Sequence, residues 1–224
     1  MLEALTGAPY PGRGLAVVRC GNDALALLYW LTGRSQPSRE RVLRADGLDL
    51  VVQDRNTRRA FDPLRHYRAA RRVQRYDVVG NGDHVDHMAV ALDDQAGAID
   101  AWWNEQPEPD PPLHTARILA IVDRTSEVAY LTAARRGPVG VAEHVGVRVA
   151  EVPSGGGLAM VTYRGDPAQP EPWAEPVWIE VAETLDDQLV ATWEALDARY
   201  RVAIAGRYLE GDATWTIPDV EGDG

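Results

Sequence analysis

Two apolar runs of strand length, residues 14–20 (GLAVVRC) and 24–31 (ALALLYWL), are separated only by Gly21-Asn22-Asp23. Three turn-forming residues between two such runs favour an antiparallel hairpin whose strands are largely buried. The same pattern recurs along the chain. A strand at 48–53 follows the Asp46-Gly47 turn, and the strand at 76–79 runs into Gly80-Asn81-Gly82. Further strands are predicted at 116–122, 127–133, 147–152, 157–163 and 201–209, with the pair at 147–152 and 157–163 joined across Pro153-Ser154-Gly155-Gly156. Residues 64–73, after Asp62-Pro63, read as a short arginine-rich helix, and helix-compatible sequence runs over 85–103 with Asp83 as its N-cap. Leu185, Leu189, Val190, Trp193 and Leu196 keep the spacing of one helical face over 184–197. Several hairpins with a central and a late helix indicate an α+β fold of two mostly antiparallel sheets covered by helices. Residues 1–212 are expected to form one domain and 213–224 a mobile acidic tail.

Charge narrows the partners. The chain has 224 residues and a net charge of −11, which argues against nucleic acid because phosphate neutralisation needs a basic face. All 23 basic residues are arginine, so neither a lysine Schiff base nor a P-loop lysine is available. The single cysteine, Cys20, excludes an intrachain disulfide and a cysteine-rich zinc cage. The first residues lack the basic start and apolar core of a signal peptide, and no run approaches the roughly 18 apolar residues that a membrane helix needs. A cytoplasmic protein is expected.

Against that acidic background, arginine, tyrosine and turn residues cluster between Tyr10 and Asp86, in YPGRG (10–14), GRSQPSR (33–39), DPLRHYR (62–68) and NGDHVD (81–86). Guanidinium groups held on glycine- and proline-shaped turns suit a small anion, above all a phosphate ester, whose oxygens they match two at a time. Pro37 stiffens a loop carrying Arg34 and Arg39, which equally suits solvated surface arginines. Tyr67 lies among arginines that favour an ionised phenol, although a lone tyrosine is more often packing. His84 and Asp86 admit a metal reading and, competing with it, the turn chemistry of a helix start. Glu108, between two prolines in PEPD, is a candidate general base, or one more solvent-facing acid. Cys20 lies in an apolar strand and reads as packing. There is no GxSxG, HExxH, P-loop or GxGxxG pattern, so acid–base chemistry without metal, cofactor or covalent intermediate is favoured.

Taken in order, YPGRG, TGRSQPSR, DPLRHYR, VVGNGDHVD, PEPD with HTARI, and VTYRG resemble the archaeal-type IMP cyclohydrolase family, over about Tyr10 to Arg164. The resemblance implies a four-layer αββα sandwich like that of N-terminal nucleophile hydrolases, used without the N-terminal nucleophile. It also implies closure of the purine ring of 5-formamidoimidazole-4-carboxamide ribonucleotide (FAICAR) to IMP and water, and a tendency to form homo-oligomers. The family's catalytic arginine, tyrosine and glutamate correspond to Arg39, Tyr67 and Glu108, and nucleotide contacts to Arg13, Arg34, Asn81, His84 and Arg117. The sequence departs from the family at His114-Thr115-Ala116-Arg117, where Asn-Thr-Pro-Arg is usual, and at Gly80, where a serine precedes Asn-Gly. Which of Tyr67 and Glu108 is acid and which base stays open. So does a different outcome, a diverged relative that binds a purine nucleotide without cyclising it.

Overall fold

A computed structural model of the chain describes residues 9–56, 60–94 and 98–219. The expected hairpin forms from β1 (Gly14–Arg19) and β2 (Leu25–Thr32), in register from Gly14 opposite Trp30 to Arg19 opposite Leu25. These two strands centre a five-stranded antiparallel sheet, ordered β13-β10-β1-β2-β14, which adds β10 (Gly156–Val161), β13 (Val177–Glu180) and β14 (Arg201–Tyr208). A seven-stranded antiparallel meander faces it. Its strands are β3 (Arg41–Asp46), β4 (Asp49–Asp54), β5 (Tyr67–Val73), β6 (Tyr76–Gly80), β7 (Arg117–Asp123), β8 (Val128–Arg136) and β9 (Ala142–Val149). A two-residue pair, β11 (Tyr163–Arg164) with β12 (Glu171–Pro172), lies beside them.

Alternation along β1 explains the layers. Leu15 and Val17 point inward, with Leu27, Tyr29 and Leu31 of β2, to a core shared with Leu50, Val52, Tyr67, Ile118 and Leu131 of the large sheet. Ala16 and Val18 point the other way and are covered, with Leu28 and Trp30, by Leu185 and Leu189 of α4 (Leu185–Ala195). On the far face of the large sheet, Val85 and Met88 of α2 (His84–Asp93) and Trp102 of α3 (Ala98–Trp103) cover Val78 and Leu119. The order is helix, sheet, sheet, helices. Strands buried on both faces read as the near-continuous apolar runs seen in the sequence.

Two expectations are corrected. Residues 64–73 are a turn followed by strand β5, and not a helix. A register shift between Leu50 and Val51 breaks the pairing of β4 with β5, so Ala69 and Ala70 are both buried and the period of two disappears from the sequence. Nor do the strands flanking Pro153 form a hairpin. β9 begins at Ala142 and pairs with β8, whereas β10 pairs with β1, so the connection crosses from one sheet to the other. Of the tail expected beyond residue 212, Trp215 is buried, its indole N–H donating to Leu48 O at 2.9 Å, and Thr216 bridges to Gly206. Residues 220–224 lie outside the described residues.

Strand register also gathers the arginine-bearing turns. Gly14 stands opposite both Trp30 and Val161, which puts residues 10–13 beside the segments leaving β2 and β10. Gly80 stands opposite Leu119, so residues 81–83 lie beside the entry to β7.

Candidate functional site

Gly12 shapes the first turn. Its φ is +74°, and a Cβ there would come within 2.2 Å of Thr162 Oγ1 and 2.5 Å of the Tyr163 ring. Only glycine lets this segment lie against the chain leaving β10. The turn is then pinned by Thr32, whose hydroxyl donates to Gly12 O at 2.7 Å, and by Thr162, whose hydroxyl accepts the Arg13 N–H at 3.1 Å.

Arg13 is thereby aimed inward. One terminal nitrogen donates to Asn81 O at 2.8 Å and the other to Glu108 Oε2 at 2.6 Å, with both side chains buried. Burial raises the Glu108 pKa above the ordinary carboxylate value, with Arg13 opposing that rise. The loop bearing Glu108 is closed by its own N–H, which donates to Thr115 O at 2.8 Å. Asp110 on the same loop accepts the Thr115 N–H at 2.7 Å and also the Thr115 hydroxyl, which in turn contacts the Tyr163 hydroxyl.

Asn81, His84 and Arg117 stand behind this pair. The Asn81 amide donates to Ala116 O at 2.9 Å and accepts from Ile118 N–H at 2.7 Å, so its side chain is committed to β7 and its carbonyl to Arg13. His84 Nε2 must donate to Ile118 O at 3.0 Å, because a carbonyl only accepts. Its Nδ1 therefore accepts from Arg117 at 3.0 Å. Burial, and then the adjacent Arg117, lower the His84 pKa from 6.5 to about 3. This imidazole is a neutral structural link and does not titrate near neutrality. Arg117 also pairs with Asp83, which caps α2 without a side-chain hydrogen bond to its backbone.

In front of Arg13 and Glu108 opens a cavity of about 540 Å³. Arg34, Arg41 and Arg65 line it together with Ser35 and Ser38 of the turn leading through α1 (Gln36–Arg39). Arg34 donates to Pro167 O at 2.7 Å and lies over the Tyr10 ring at 5.1 Å. Arg41 donates to Ser38 O at 3.0 Å and Thr32 O at 2.9 Å, while Arg65 donates to Pro37 O at 2.9 Å and pairs with Asp54. Tyr10 stacks on Tyr163 with ring centroids 5.8 Å apart, and both line the space. The carboxylates of Glu108 and Asp110 reach it from the 104–116 loop.

The sequence candidates are therefore spread over four settings, one of them the Asn81, His84 and Arg117 group just described. Arg13, Arg34 and Glu108 line the cavity. Tyr67 is buried in the inter-sheet core, its hydroxyl 2.8 Å from that of Tyr29, within electrostatic reach of Arg13. It borders a second cavity of about 780 Å³, shared with Arg44, His66 and Arg68, and is not among the residues lining the first. Arg39 is exposed, donates to Gly33 O at 3.2 Å, and lies 6.0 Å over the Tyr200 ring, outside both cavity linings. Arg41, Arg65, Asp110, Thr115 and Tyr163 were not singled out from sequence. Arg65, Asp110, Thr115 and Tyr163 lie within DPLRHYR, PEPD, HTARI and VTYRG, whereas Arg41 lies on β3, outside these motifs. Cys20 is buried, and burial pushes its thiol up to about 11, with Glu183 adding to the rise. That is a packing environment and not that of a thiolate nucleophile. Among the described residues, no group of three or more His, Cys, Asp or Glu side chains is placed to hold a metal ion.

The model of the family described as IMP cyclohydrolase-like protein matches residues 10–213. The chain belongs to the IMP cyclohydrolase-like family. A curated relative, the IMP cyclohydrolase of Methanothrix thermoacetophila, is 28% identical over 164 residues, covering 69% of this chain and 74% of that protein. The family match spans every turn that lines the 540 Å³ cavity, from Tyr10 to Tyr163.

Proposed function

We propose that the protein is an IMP cyclohydrolase, closing FAICAR to IMP and water by acid–base catalysis in the 540 Å³ cavity. The carrying observation is the cavity's divided chemistry. Three guanidinium groups on the 34–41 and 62–65 segments suit a phosphate, while the buried Arg13–Glu108 pair offers a cation and a carboxylate for proton transfer.

In this reading Arg34, Arg41 and Arg65 hold the phosphate. The carboxamide nitrogen attacks the formyl carbon, forming the N–C bond of the ring, and the formyl oxygen takes up the electron pair. One proton leaves the carboxamide nitrogen and one the formamide nitrogen, both reach that oxygen, and its C–O bond breaks to release water as the formamide nitrogen forms the C=N bond of the ring. The reacting groups are tethered, so fixing the carboxamide rotamer supplies much of the rate; well-oriented intramolecular reactions gain up to about 7–11 kcal/mol. Glu108, its pKa raised by burial, is suited to accept and return a proton. Arg13, bonded to it, is assigned to the oxygen's developing charge. Tyr67 would complete the shuttle through its position beside Arg13. Arg39 enters the reading from the family resemblance alone. The layer order is read as that of the N-terminal nucleophile hydrolase sandwich, and the protein as a cytoplasmic homo-oligomer.

A second reading, a purine-nucleotide binder without cyclase activity, is favoured by one observation: neither Arg39 nor Tyr67 lines the cavity that holds Arg13, Arg34 and Glu108. Mixing the purified chain with FAICAR and following the absorbance change of ring closure separates the two. Turnover that Glu108→Gln abolishes supports the enzyme. Tight IMP binding with no turnover supports the binder.

A further inference from the structure

Asp110, Thr115 and Tyr163 form a hydrogen-bonded chain along the wall of the 540 Å³ cavity, and no step proposed above uses them. Counting protons fixes the direction of every bond in it. The Asp110 carboxylate accepts the Thr115 N–H at 2.7 Å on one oxygen and the Thr115 hydroxyl on the other. A carboxylate has no proton to give, and a threonine hydroxyl has one. That proton is committed to Asp110, so in the contact between Thr115 and Tyr163 the phenol must donate. Its proton is then used, and the Tyr163 oxygen has only acceptor capacity left for anything in the cavity.

The ring is held still. Tyr163 is 5% exposed and stacks on Tyr10 at an interplanar angle of 26°. Burial pushes its phenol up to about 12, so it stays protonated and the chain keeps its direction near neutrality. Arg13, Asp110 and Glu108 all act on it electrostatically, so two carboxylates face this stretch of wall beside one guanidinium, whose terminal nitrogens already donate to Asn81 O and Glu108. The guanidinium groups of Arg34, Arg41 and Arg65 belong to other segments of the lining.

We propose that Tyr163 is a specificity-determining residue that accepts a hydrogen bond from an N–H at the base end of a purine nucleotide, its acceptor polarity set by Asp110 through Thr115. This rests on the nucleotide reading of the cavity but not on turnover. A site built to accept discriminates against a ligand that presents another acceptor, because two lone pairs then face each other without a proton between them.

The test is calorimetric titration of the full chain with inosine 5′-monophosphate, which carries N1–H, and with purine riboside 5′-monophosphate, whose N1 is an acceptor. Wild type is expected to prefer the inosine nucleotide by about tenfold, the scale of one hydrogen bond plus the penalty for its loss. Tyr163→Phe abolishes that preference. Asp110→Asn is the more diagnostic change. Its amide accepts the Thr115 N–H and donates to the Thr115 hydroxyl, whose proton then turns to Tyr163, leaving the phenol proton to face the cavity. The preference should fall and tilt toward the purine riboside nucleotide, an inversion that loss of packing does not produce. A preference that survives Tyr163→Phe, or is untouched by Asp110→Asn, overturns the assignment, as does a wild type that binds neither nucleotide. Loss of the preference in Tyr163→Phe, with a wild type that binds inosine 5′-monophosphate but does not cyclise FAICAR, upholds Tyr163 and overturns the cyclohydrolase reading instead.

Discussion

Arg13 donates to Glu108 across 2.6 Å although the two residues are 95 positions apart, and both are nearly withdrawn from solvent. A buried ion pair tolerates removal of both charges far better than removal of one. Arg13→Met, which strands the Glu108 charge, is expected to destabilise the fold by about 3–5 kcal/mol. Urea titration of the variant should show this as a large drop in midpoint, and an unchanged midpoint would mean that the pair is effectively solvated.

The same pair sets one limb of the acid–base behaviour. The folded-state pKa of Glu108 lies above its unfolded value, so the folded protein holds its proton more tightly. Stability from this source is full below the ordinary carboxylate pKa and declines as pH rises through the raised one. Glu108→Gln should remove that decline, giving a flatter curve of melting temperature against pH on the weakly acidic side. Identical curves for wild type and variant would show that Glu108 does not titrate differently on folding.

His84 has the opposite sign. Its folded pKa is depressed to about 3 from 6.5, so the unfolded chain binds the extra proton first. The stability it contributes is present above about 6.5 and is lost as pH falls toward 3. Nitrogen chemical shifts at pH 5 should report a neutral imidazole protonated on Nε2, the tautomer required by Ile118 O. An imidazolium signal at that pH would refute the buried link.

Much of this architecture was legible in the sequence. Leu15, Val17, Leu27 and Leu31 lie in runs bounded by turn residues, and such runs declare buried strands without tertiary information. The chain around Tyr67 did not declare itself, because a bulge opposite Leu50 and Val51 removes the alternation that identifies a strand. The site was legible in proportion to its dependence on turns. Arg13 and Arg34 follow glycines whose purpose is visible, whereas Arg41 lies on a strand whose register only the assembled sheet defines. Glu108 was found through its prolines, but its partner could not be, since nothing local links it to Arg13. His84 and Asn81 enter as nucleotide contacts through the family resemblance, and nothing local in the sequence shows that their side chains bond to β7 and the residue before it.

Tyr29 and Tyr67 offer a separate test of the core. Their hydroxyls meet at 2.8 Å between the two sheets, and both residues are buried. Tyr29→Phe leaves the Tyr67 hydroxyl without that partner, at an expected cost of about 1–3 kcal/mol. Removing both hydroxyls together should cost less than the sum of the single changes. A double-mutant cycle by chemical denaturation measures the coupling, and strict additivity would show that the contact contributes nothing.

The arginines of the 33–41 segment can be separated by what they touch. Arg41 lines the cavity and, among the described residues, uses Nε and one terminal nitrogen on backbone carbonyls, at Ser38 and Thr32, which leaves its other terminal nitrogen for a ligand. Arg39 has its Nε on Gly33 O and its guanidinium plane over Tyr200, outside the lining. A charge-assisted hydrogen bond to phosphate contributes about 1.5–3 kcal/mol, or roughly 10–100-fold in affinity. Arg41→Gln should therefore weaken IMP binding by that factor while leaving the much weaker binding of inosine, which lacks the phosphate, nearly unchanged. Arg39→Gln should leave both affinities close to wild type. Titrating both ligands into both variants decides between cavity geometry and sequence resemblance as guides to this arginine pair. A large loss of IMP affinity or turnover on Arg39→Gln, with Arg41→Gln silent, would mean that α1 turns Arg39 inward when the nucleotide binds.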